Sequence, residues 1–402
     1  MIFSRFNNLV HVGENIIVYN SLSGAVIKIP DGQYKVTNPN LIMGGFVVEQ
    51  DDDFLKYSYI FNNSIYCPKE LNIVIATSLN CNLSCPYCFE KNTRSDSSIT
   101  ADVVEKLYTF IIKKKHLPVH ITWFGGEPML QYKAISNLSE KLLQEDGLKF
   151  DATMITNGTI MPDSFIDDID RFKIKSIQIT LDGTEKAHDS KRFFRTGEGS
   201  FQIIINNITR LLESTNTTII VKINVDRNNI TEFDSLKNFI KENFQNYYKK
   251  GRILFISNYV RNKTNFDGSE NCLSCTEYFD FLIAHGAPYR IPGFKGACPL
   301  RSQGYYVIGP DGDIYKCMEH LGRKNYSIGN IVDFKISLNK QSRLALAYSP
   351  ITDPVCSQCS ILPICGGGCP NERECLDGTH RPCPAEKDKL NDIILNLYGK
   401  SK

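Results

Sequence analysis

The chain has 402 residues, of which 46 are lysine or arginine and 44 are aspartate or glutamate. The length suggests two or three domains of roughly 150 residues, and the 42% hydrophobic content excludes disorder as the main state. A net charge of +2 gives no clustered basic excess for duplex nucleic acid. No apolar run reaches the roughly 18 residues that span a bilayer, and the N-terminus lacks a signal-peptide layout. We therefore expect a soluble, cytoplasmic protein that binds neither nucleic acid nor a membrane.

Residues 1–66 predict a small β-rich module. The segments 18–29 and 44–50 have strand composition, and turn signals lie around them. Nothing catalytic stands out here, so the simplest interpretation is a cap.

Residues 67–262 alternate strand-like segments with amphipathic helical segments. The strand candidates span 71–77, 119–126, 152–158, 176–183, 218–226 and 252–259. Six such units predict an α/β fold with a parallel sheet covered by helices, which makes a partial (β/α)6 barrel of the TIM type. Chemistry in such folds lies at the carboxyl ends of the strands, where the motifs of this sequence also fall.

From 263 to 386 the alternation stops and cysteine density rises, which indicates a domain organised by metal. Residues 387–402 predict a closing helix. The 14 cysteines are too few for a disulfide scaffold, which has about 8–10% cysteine. Their two- and three-residue spacings, without an export signal, favour metal ligands in a reducing cytoplasm.

The most informative motif is Cys81-x3-Cys85-x2-Cys88. Three thiolates on one loop can each bind one iron of a 4Fe–4S cube and leave the fourth iron open. The alternative is a zinc knuckle, which needs a fourth cysteine or histidine nearby, and residues 89–115 contain neither.

This motif, with an aromatic residue before its last cysteine, resembles the signature of the radical SAM superfamily. The resemblance continues in a GGEP segment after the second strand and in residues at the ends of later strands. It implies S-adenosylmethionine (SAM) contacts by Tyr87, Gly125, Gly126, Glu127, Asn157, Thr180, Asp182, Arg192 and Asn224. It also implies that the cluster cleaves SAM reductively to a 5′-deoxyadenosyl radical, which abstracts hydrogen from a substrate.

The later cysteines resemble the SPASM extension of peptide- and protein-modifying radical SAM enzymes. Their pattern is Cys298, Gly312, Cys317, then Cys356-x2-Cys359-x5-Cys365-x3-Cys369, then Cys383. The resemblance implies two auxiliary clusters and thus three 4Fe–4S clusters in all. Cys298, Cys317 and Cys369 would share one auxiliary cluster, and Cys356, Cys359, Cys365 and Cys383 would hold the other.

The fourth ligand of the first auxiliary cluster stays open. Cys275 is slightly favoured over Cys272, Cys375 and Cys67, and a substrate thiolate could fill an open position instead. One or two structural zinc ions are the alternative to the clusters.

The resemblance favours maturation of a ribosomally made peptide by a two-electron oxidation that forms a thioether or a carbon–carbon cross-link. The partners would be that peptide, with a leader that residues 1–66 could bind, and a flavodoxin or ferredoxin as electron donor. The first alternative is an anaerobic sulfatase-maturing enzyme. Its general base is an aspartate directly after the cysteine that matches Cys317, where this chain has Met318, so Glu319 is the candidate acid or base. Further alternatives are a peptide epimerase, a small-molecule dehydrogenase, and a non-enzymatic zinc or redox protein.

Overall fold

The computed structural model describes residues 1–261, 269–285, 294, 296–333, 335–338, 343, 346–374, 381–384 and 386–399. The chain forms two compact units. The terminal unit comprises Met1–Pro68, Cys275–Gln303 and Lys340–Lys402, and the barrel unit comprises Lys69–Ser274 and Gly304–Asn339. Within the described ranges, no helix is both long and apolar enough to cross a membrane.

The N-terminal part of the terminal unit is built on a three-stranded antiparallel sheet in the order β2-β3-β4. Its elements are β1 (Ile2–Phe3), β2 (Asn7–Val12), β3 (Asn15–Asn20), β4 (Val26–Pro30), α1 (Pro39–Met43), β5 (Val47–Val48) and α2 (Asp52–Tyr66). Strand β3 is buried on both faces because its alternate side chains enter two cores. Ile16 and Val18 pack with Leu41, whereas Ile17 and Tyr19 pack with residues near the C-terminus.

Helix α2 is the main difference from the predicted β-rich module. Its apolar residues recur at helical spacing, but its aromatic, asparagine and serine residues are weak helix formers, so the sequence signal is faint. Packing compensates, because Tyr57 and Phe61 are fully buried against Phe6 and Leu362. The buried carboxylate of Asp53 also accepts hydrogen bonds from Ser4 Oγ at 2.7 Å and Arg5 N at 2.8 Å.

The barrel unit contains six parallel strands that neighbour one another in chain order. They are β6 (Leu71–Ala76), β7 (Val119–Phe124), β8 (Phe150–Thr156), β9 (Ile174–Thr180), β10 (Thr218–Val225) and β11 (Ile253–Tyr259). The helices between and after them are α3 (Ala101–Ile112), α4 (Tyr132–Leu143), α5 (Asp163–Asp168), α6 (Glu185–Lys191), α7 (Phe201–Ser214), α8 (Glu232–Asn243) and α9 (Gln245–Lys249). This arrangement confirms the predicted partial (β/α)6 barrel.

The edge of this sheet beside β6 is extended by residues from much later in the chain. Strand β12 (Tyr305–Ile308) pairs with β6 in parallel, and β13 (Asp313–Tyr315), β14 (Gly329–Asn330) and β15 (Lys335–Ile336) follow in antiparallel order. In the terminal unit, the later helices are α10 (Cys275–Ala284), α11 (Leu362–Cys365), α12 (Pro370–Glu374) and α13 (Glu386–Ile394). Helix α13 overlaps the segment 387–402 for which a closing helix is predicted, and residues 400–402 lie outside the described residues.

The strands of the barrel end just before the sequence motifs, for example at Ala76 and Phe124. Helix α3 shows the local logic of the barrel, since Thr100 Oγ1 accepts a hydrogen bond from Val103 N and caps its start. Val103, Val104 and Leu107 then lie on one buried face at helical spacing. The loops between strand ends and helix starts therefore meet at one edge of the sheet.

Candidate active site

The three cysteines of the CxxxCxxC motif lie in the loop between β6 and α3. Cys81 and Cys85 are buried with Leu83, and Cys88 packs against this group. Ser84 N donates to Phe193 O at 2.9 Å, which ties the loop to the segment after α6. The loop thus gathers three thiols in a largely apolar, water-poor setting, and burial raises the pKa of Cys81 to about 11.

The GGEP segment after β7 packs directly on the start of this cysteine loop. Gly126 N donates to Ser78 O and Glu127 N donates to Asn80 O, both at 2.9 Å. A Cβ on Gly126 would lie 2.3 Å from Asn80 O, and one on Gly125 would lie 2.3 Å from Ser78 O. Only glycine allows this approach of two backbones, so the two glycines set the position of the cysteine loop.

The side chain of Glu127 is fully buried and hydrogen-bonded within the protein. Its Oε1 accepts from Met129 N at 3.0 Å and Thr156 Oγ1 at 2.7 Å, and its Oε2 accepts from Asn157 N at 2.8 Å. Burial raises the pKa of this carboxyl, whereas these donors and Arg192 favour its charged form. Glu127 therefore holds the ends of β7 and β8 together beside the cysteine loop.

Asn157 links that carboxylate to the thiols. Its Nδ2 lies 3.6 Å from Cys81 Sγ and donates to Asn82 Oδ1 at 2.8 Å. Asn82 was not predicted as a site residue, because a polar residue inside the motif gives no signal of its own. It donates in turn to Thr159 Oγ1 at 2.8 Å, so one amide chain connects the loop to the end of β8.

A second network joins the last turn of the motif to β9, β10 and α6. Tyr87 Oη donates to Asp182 Oδ2, and Arg192 NH1 donates to Tyr87 Oη at 2.8 Å. Asn224 N donates to Asp182 Oδ1 at 2.9 Å. Asp182 and Arg192 are both buried, and burial raises the pKa of the Asp182 carboxyl. Predicted residues from three strand ends thus meet in one buried group.

His188 holds this group in place through both of its ring nitrogens. Its Nδ1 accepts from Asp182 N at 3.2 Å, and its Nε2 lies 2.9 Å from Ser200 Oγ. Because Ser200 Oγ donates to Arg192 O at 2.6 Å, the histidine Nε2 must be the donor to Ser200. Burial, with the nearby Arg192 charge, lowers the pKa of His188 well below its usual value, so the ring is neutral.

Two arginines near the cysteine loop have buried polar atoms that an anionic group could satisfy. Arg94 NH1 donates to Leu83 O at 2.9 Å, yet the buried Nε atoms of Arg94 and Arg192 have no hydrogen-bond partner among the described residues. An unpartnered buried donor costs about 1–3 kcal/mol, which favours a partner from outside the polypeptide. A thiolate-bound cluster beside Arg94 and a carboxylate beside Arg192 fit these donors.

Across the described ranges, no three histidine, cysteine or acidic side chains converge as ligands of a single metal ion.

A polar cavity of about 580 Å³ opens beside Tyr87. It is lined by residues of α6 and of the loop after β10, including Lys191, Asp226 and Asn229. Lys191 Nζ pairs with Asp226 Oδ1 at 2.6 Å. Thr180, another predicted contact residue, ends β9 and is 9% exposed.

In the terminal unit, four of the predicted ligands line one small cavity. These are Cys356, Cys359, Cys365 and Cys383. The three glycines after Cys365 have φ values of +57°, +87° and +77°, which lets the chain turn back over the thiols. Burial raises the pKa of Cys365 to about 11. The structure thus brings together the set predicted for one auxiliary cluster.

The other predicted ligands do not form one described site. Cys298 and Cys369 belong to the terminal unit and Cys317 to the barrel unit. Cys275 starts α10 and packs against Phe279 and Ile393, whereas Cys375 lies outside the described residues. Glu319 is half-buried in the turn Met318–His320. The ligand set of the first auxiliary cluster and the acid–base role of Glu319 stay predictions.

The sequence is similar to a family model and to enzymes of known activity. Residues 75–239 match the family model of the radical SAM superfamily. The radical SAM cyclopropyl synthase TigE of Paramaledivibacter caminithermalis is 24% identical in an alignment 333 residues long that covers 74% of this chain and 67% of TigE. The cysteine-type anaerobic sulfatase-maturating enzyme of Clostridium perfringens strain 13 is 23% identical in an alignment 372 residues long that covers 82% of this chain and 93% of that enzyme.

Two solved structures share the fold. The structure of anSMEcpe with bound AdoMet and Kp18Cys peptide has a TM-score of 0.63 and 20% identity, and covers 82% of this chain and 97% of that one. The structure of Streptococcus suis SuiB with its precursor peptide SuiA has a TM-score of 0.56 and 15% identity, and covers 96% and 99% of the two chains. Together with the cysteine loop, the match over residues 75–239 shows that this chain contains a radical SAM domain.

Proposed function

We propose that this protein is a peptide- or protein-modifying radical SAM enzyme with a SPASM-type C-terminal region. The observation that carries the proposal is the buried group of Cys81, Cys85 and Cys88 beside Tyr87, Asp182 and Arg192. SAM and a 4Fe–4S cluster, when bound, would supply a 5′-deoxyadenosyl radical that removes hydrogen from an unactivated carbon.

The chain's own residues would orient SAM and exclude water. Arg192 has a buried, unpartnered Nε that suits the SAM carboxylate, and the GGEP backbone lies next to the cysteine loop. Glu127 keeps that backbone in place through its three internal hydrogen bonds. Asn157, Thr180 and Asn224 would line the rest of the SAM site.

The substrate we propose is a ribosomally made peptide that is cross-linked with loss of two hydrogen atoms. One hydrogen atom leaves as part of 5′-deoxyadenosine, and the other leaves as a proton and an electron. Support comes from SuiB, which was solved with its precursor peptide, and from the cavity of four cysteines, which could hold an electron-accepting cluster. A flavodoxin or ferredoxin would supply the first electron.

The leader of such a peptide could add to the sheet of the terminal unit. The order β2-β3-β4 makes β2 and β4 the edge strands of this sheet. Edge strands offer backbone groups to an extended peptide, and this is a known mode of peptide recognition.

A second candidate function is sulfatase maturation, because the C. perfringens enzyme of that name is similar over most of both chains. Mass spectrometry of the modified substrate separates the two. Fragmentation of the product shows two residues joined after cross-linking, whereas formylglycine formation changes one residue only, with loss of sulfur from cysteine or of two hydrogen atoms from serine. Met318 directly after Cys317 favours the cross-linking reaction, since a thioether cannot accept a proton at neutral pH.

The radical SAM assignment is tested by replacing Cys81, Cys85 and Cys88 together with alanine. We expect the reconstituted, dithionite-reduced variant to form no 5′-deoxyadenosine while it retains iron at the cavity of four cysteines. Met43→Ala changes a side chain that is 86% exposed and has no assigned role, and this control should keep 5′-deoxyadenosine formation. Formation of 5′-deoxyadenosine by the triple variant would contradict the assignment.

A further inference from the structure

The cavity of four cysteines is surrounded by cations and hydrogen-bond donors that the binding of iron does not require. Arg373, Arg381 and Lys387 line it together with the cysteines. Arg373 NH2 lies 3.9 Å from Cys356 Sγ, and Tyr348 Oη lies 3.3 Å from the same sulfur. Arg373 and Tyr348 thus both lie next to the Cys356 sulfur.

Arg373 is the best placed of these cations. Its side chain is only 11% exposed, so solvent screens its charge weakly. Its guanidinium lies 4.0 Å from the centre of the Tyr348 ring, and its NH2 also donates to Gly367 O at 3.1 Å. Stacking and hydrogen bonding hold the charge at a fixed distance from Cys356.

A carboxylate on the same side opposes this charge. Asp353 lies 3.8 Å from Arg373 NH1, and Arg381 Nε donates to it at 3.2 Å. Its Oδ1 also accepts from Cys356 N at 2.9 Å, and its Oδ2 lies 3.5 Å from Tyr348 Oη. The tyrosine hydroxyl thus lies between the carboxylate and the Cys356 sulfur.

The other sulfurs have donors of their own. Lys387 Nζ lies 3.7 Å from Cys383 Sγ, but this contact is exposed to solvent. Gly367 N donates to Cys365 Sγ at 3.4 Å. The potential of an iron–sulfur cluster depends on net charge, on hydrogen bonds to sulfur and on solvent exposure. Arg373 and Lys387 carry the same charge at similar distances from a sulfur, so the lower exposure of Arg373 should make its effect the stronger one.

We propose that Arg373, with Tyr348, tunes the centre held by Cys356, Cys359, Cys365 and Cys383 toward easier reduction, and that Asp353 opposes them. This inference rests on the proposed assignment of an iron–sulfur centre to these cysteines. The one-electron reduced form carries one more negative charge, so a fixed cation beside a ligand sulfur stabilises it relative to the oxidised form. Arg373 and Tyr348 are tuning residues and not catalytic ones.

The test is an anaerobic redox titration of the full-length, iron-loaded protein, followed by electron paramagnetic resonance. The signal that Cys365→Ala removes identifies the centre. In Arg373→Gln we expect at least a tenfold decrease in the reduced-to-oxidised ratio at the wild-type midpoint, which is a fall of 59 mV for one electron. The midpoint of Arg373→Lys should lie between those of wild type and Arg373→Gln. Tyr348→Phe should lower the midpoint by less than Arg373→Gln does.

Asp353→Asn provides the opposite change of charge, and its midpoint should rise. Lys387→Gln should lower the midpoint less than Arg373→Gln does. The matched control is Lys389→Gln, which removes the same charge two residues later on α13, where Lys389 Nζ pairs with Asp280 Oδ1 at 2.7 Å. The control should keep the wild-type midpoint.

Several results would overturn the proposal. One is an unchanged midpoint in an Arg373→Gln protein with wild-type iron content, and another is a shift of equal sign in Arg373→Gln and Asp353→Asn. If Arg373→Gln fails to retain iron, the other two variants decide. The proposal then requires the midpoint to rise in Asp353→Asn and to fall in Lys387→Gln, and shifts of equal sign overturn it. If Cys365→Ala removes no signal from a protein that still forms 5′-deoxyadenosine, the four-cysteine assignment fails and the radical SAM assignment stands.

Discussion

At the scale of single residues, the site depends on buried polar side chains that satisfy one another. Asp182 accepts from Tyr87 and from the Asn224 backbone, and His188 joins the Asp182 backbone to Ser200. The cysteine motif predicted Tyr87, and their places at strand ends predicted Asp182 and Asn224. Neither signal predicted the roles of Asn82, Arg94 and His188, which come from tertiary contacts that no local spacing encodes.

Replacing His188 with glutamine should change how stability depends on pH. Since the folded pKa lies well below the unfolded value of 6.5, below that pH the unfolded chain binds a proton that the folded chain does not. The contribution of His188 to stability is therefore complete above about pH 6.5 and falls by about 1.4 kcal/mol per pH unit below it, until the folded pKa is reached. When the pH is lowered from about 7.5 to 5.5, we expect the unfolding free energy of His188→Gln to fall by about 1 kcal/mol less than that of wild type.

Urea unfolding measured by tryptophan fluorescence checks this prediction. Trp123 is the only tryptophan of the chain and is buried in β7, so it reports on the barrel unit. The exposed His11 lies in the terminal unit, and His11→Gln should keep the wild-type pH dependence. Equal pH slopes in wild type and His188→Gln would show that the histidine does not titrate on unfolding.

At the scale of elements, the strands of the barrel could be predicted because buried parallel strands form continuous apolar runs. Each observed strand starts and ends within three residues of its predicted bounds, for example Thr218–Val225 against 218–226. Helix α2 could not be predicted in this way, since its stability comes from the packing of Tyr57 and Phe61 more than from helix propensity.

Gly126→Ala tests whether contact between two loops positions the cysteines. The new Cβ would lie 2.3 Å from Asn80 O, and a backbone atom can move only with its loop. We expect a loss of about 1–3 kcal/mol in unfolding free energy, as for other overpacking substitutions. We also expect loss of iron from the Cys81–Cys88 loop and of 5′-deoxyadenosine formation.

The matched control is Gly32→Ala, because a Cβ there meets no atom within 4 Å and Gly32 does not have a positive φ. Iron content per chain and 5′-deoxyadenosine yield are the measurements. Wild-type values in Gly126→Ala would mean that the cysteine loop does not depend on this contact.

At the scale of the whole molecule, the terminal unit combines segments from both halves of the sequence. Ile17 and Tyr19 share a core with Ile364 and Ile394, and Phe61 shares one with Cys356. The sequence offered no signal of this, because contacts between distant segments leave no periodicity in either one. The domain boundaries predicted after residues 66, 262 and 386 remain predictions.

Phe61→Ala should therefore affect the four-cysteine cavity although Phe61 lies in the N-terminal segment. Phe61 is fully buried, and its truncation should cost about 3–5 kcal/mol. We expect the variant to lose iron from that cavity during mild heating, measured as the signal that Cys365→Ala also removes. Tyr59→Ala on the same helix is the control, since Tyr59 is 70% exposed, and equal iron loss in both variants would refute the shared core.

Because the terminal unit is made of segments from both ends of the sequence, it also sets the order in which parts of the protein can fold during translation. Phe6, Tyr57 and Phe61 leave the ribosome long before Leu362, their partner, has been translated. At about 5–20 residues per second, the interval between Phe61 and Leu362 is roughly 15–60 s. The nascent N-terminal segment must wait with its aromatic residues uncovered while the Lys69–Ser274 stretch emerges and can begin to form its parallel strands. Metal delivery to the complete set of four cysteines can thus only follow the emergence of Cys383.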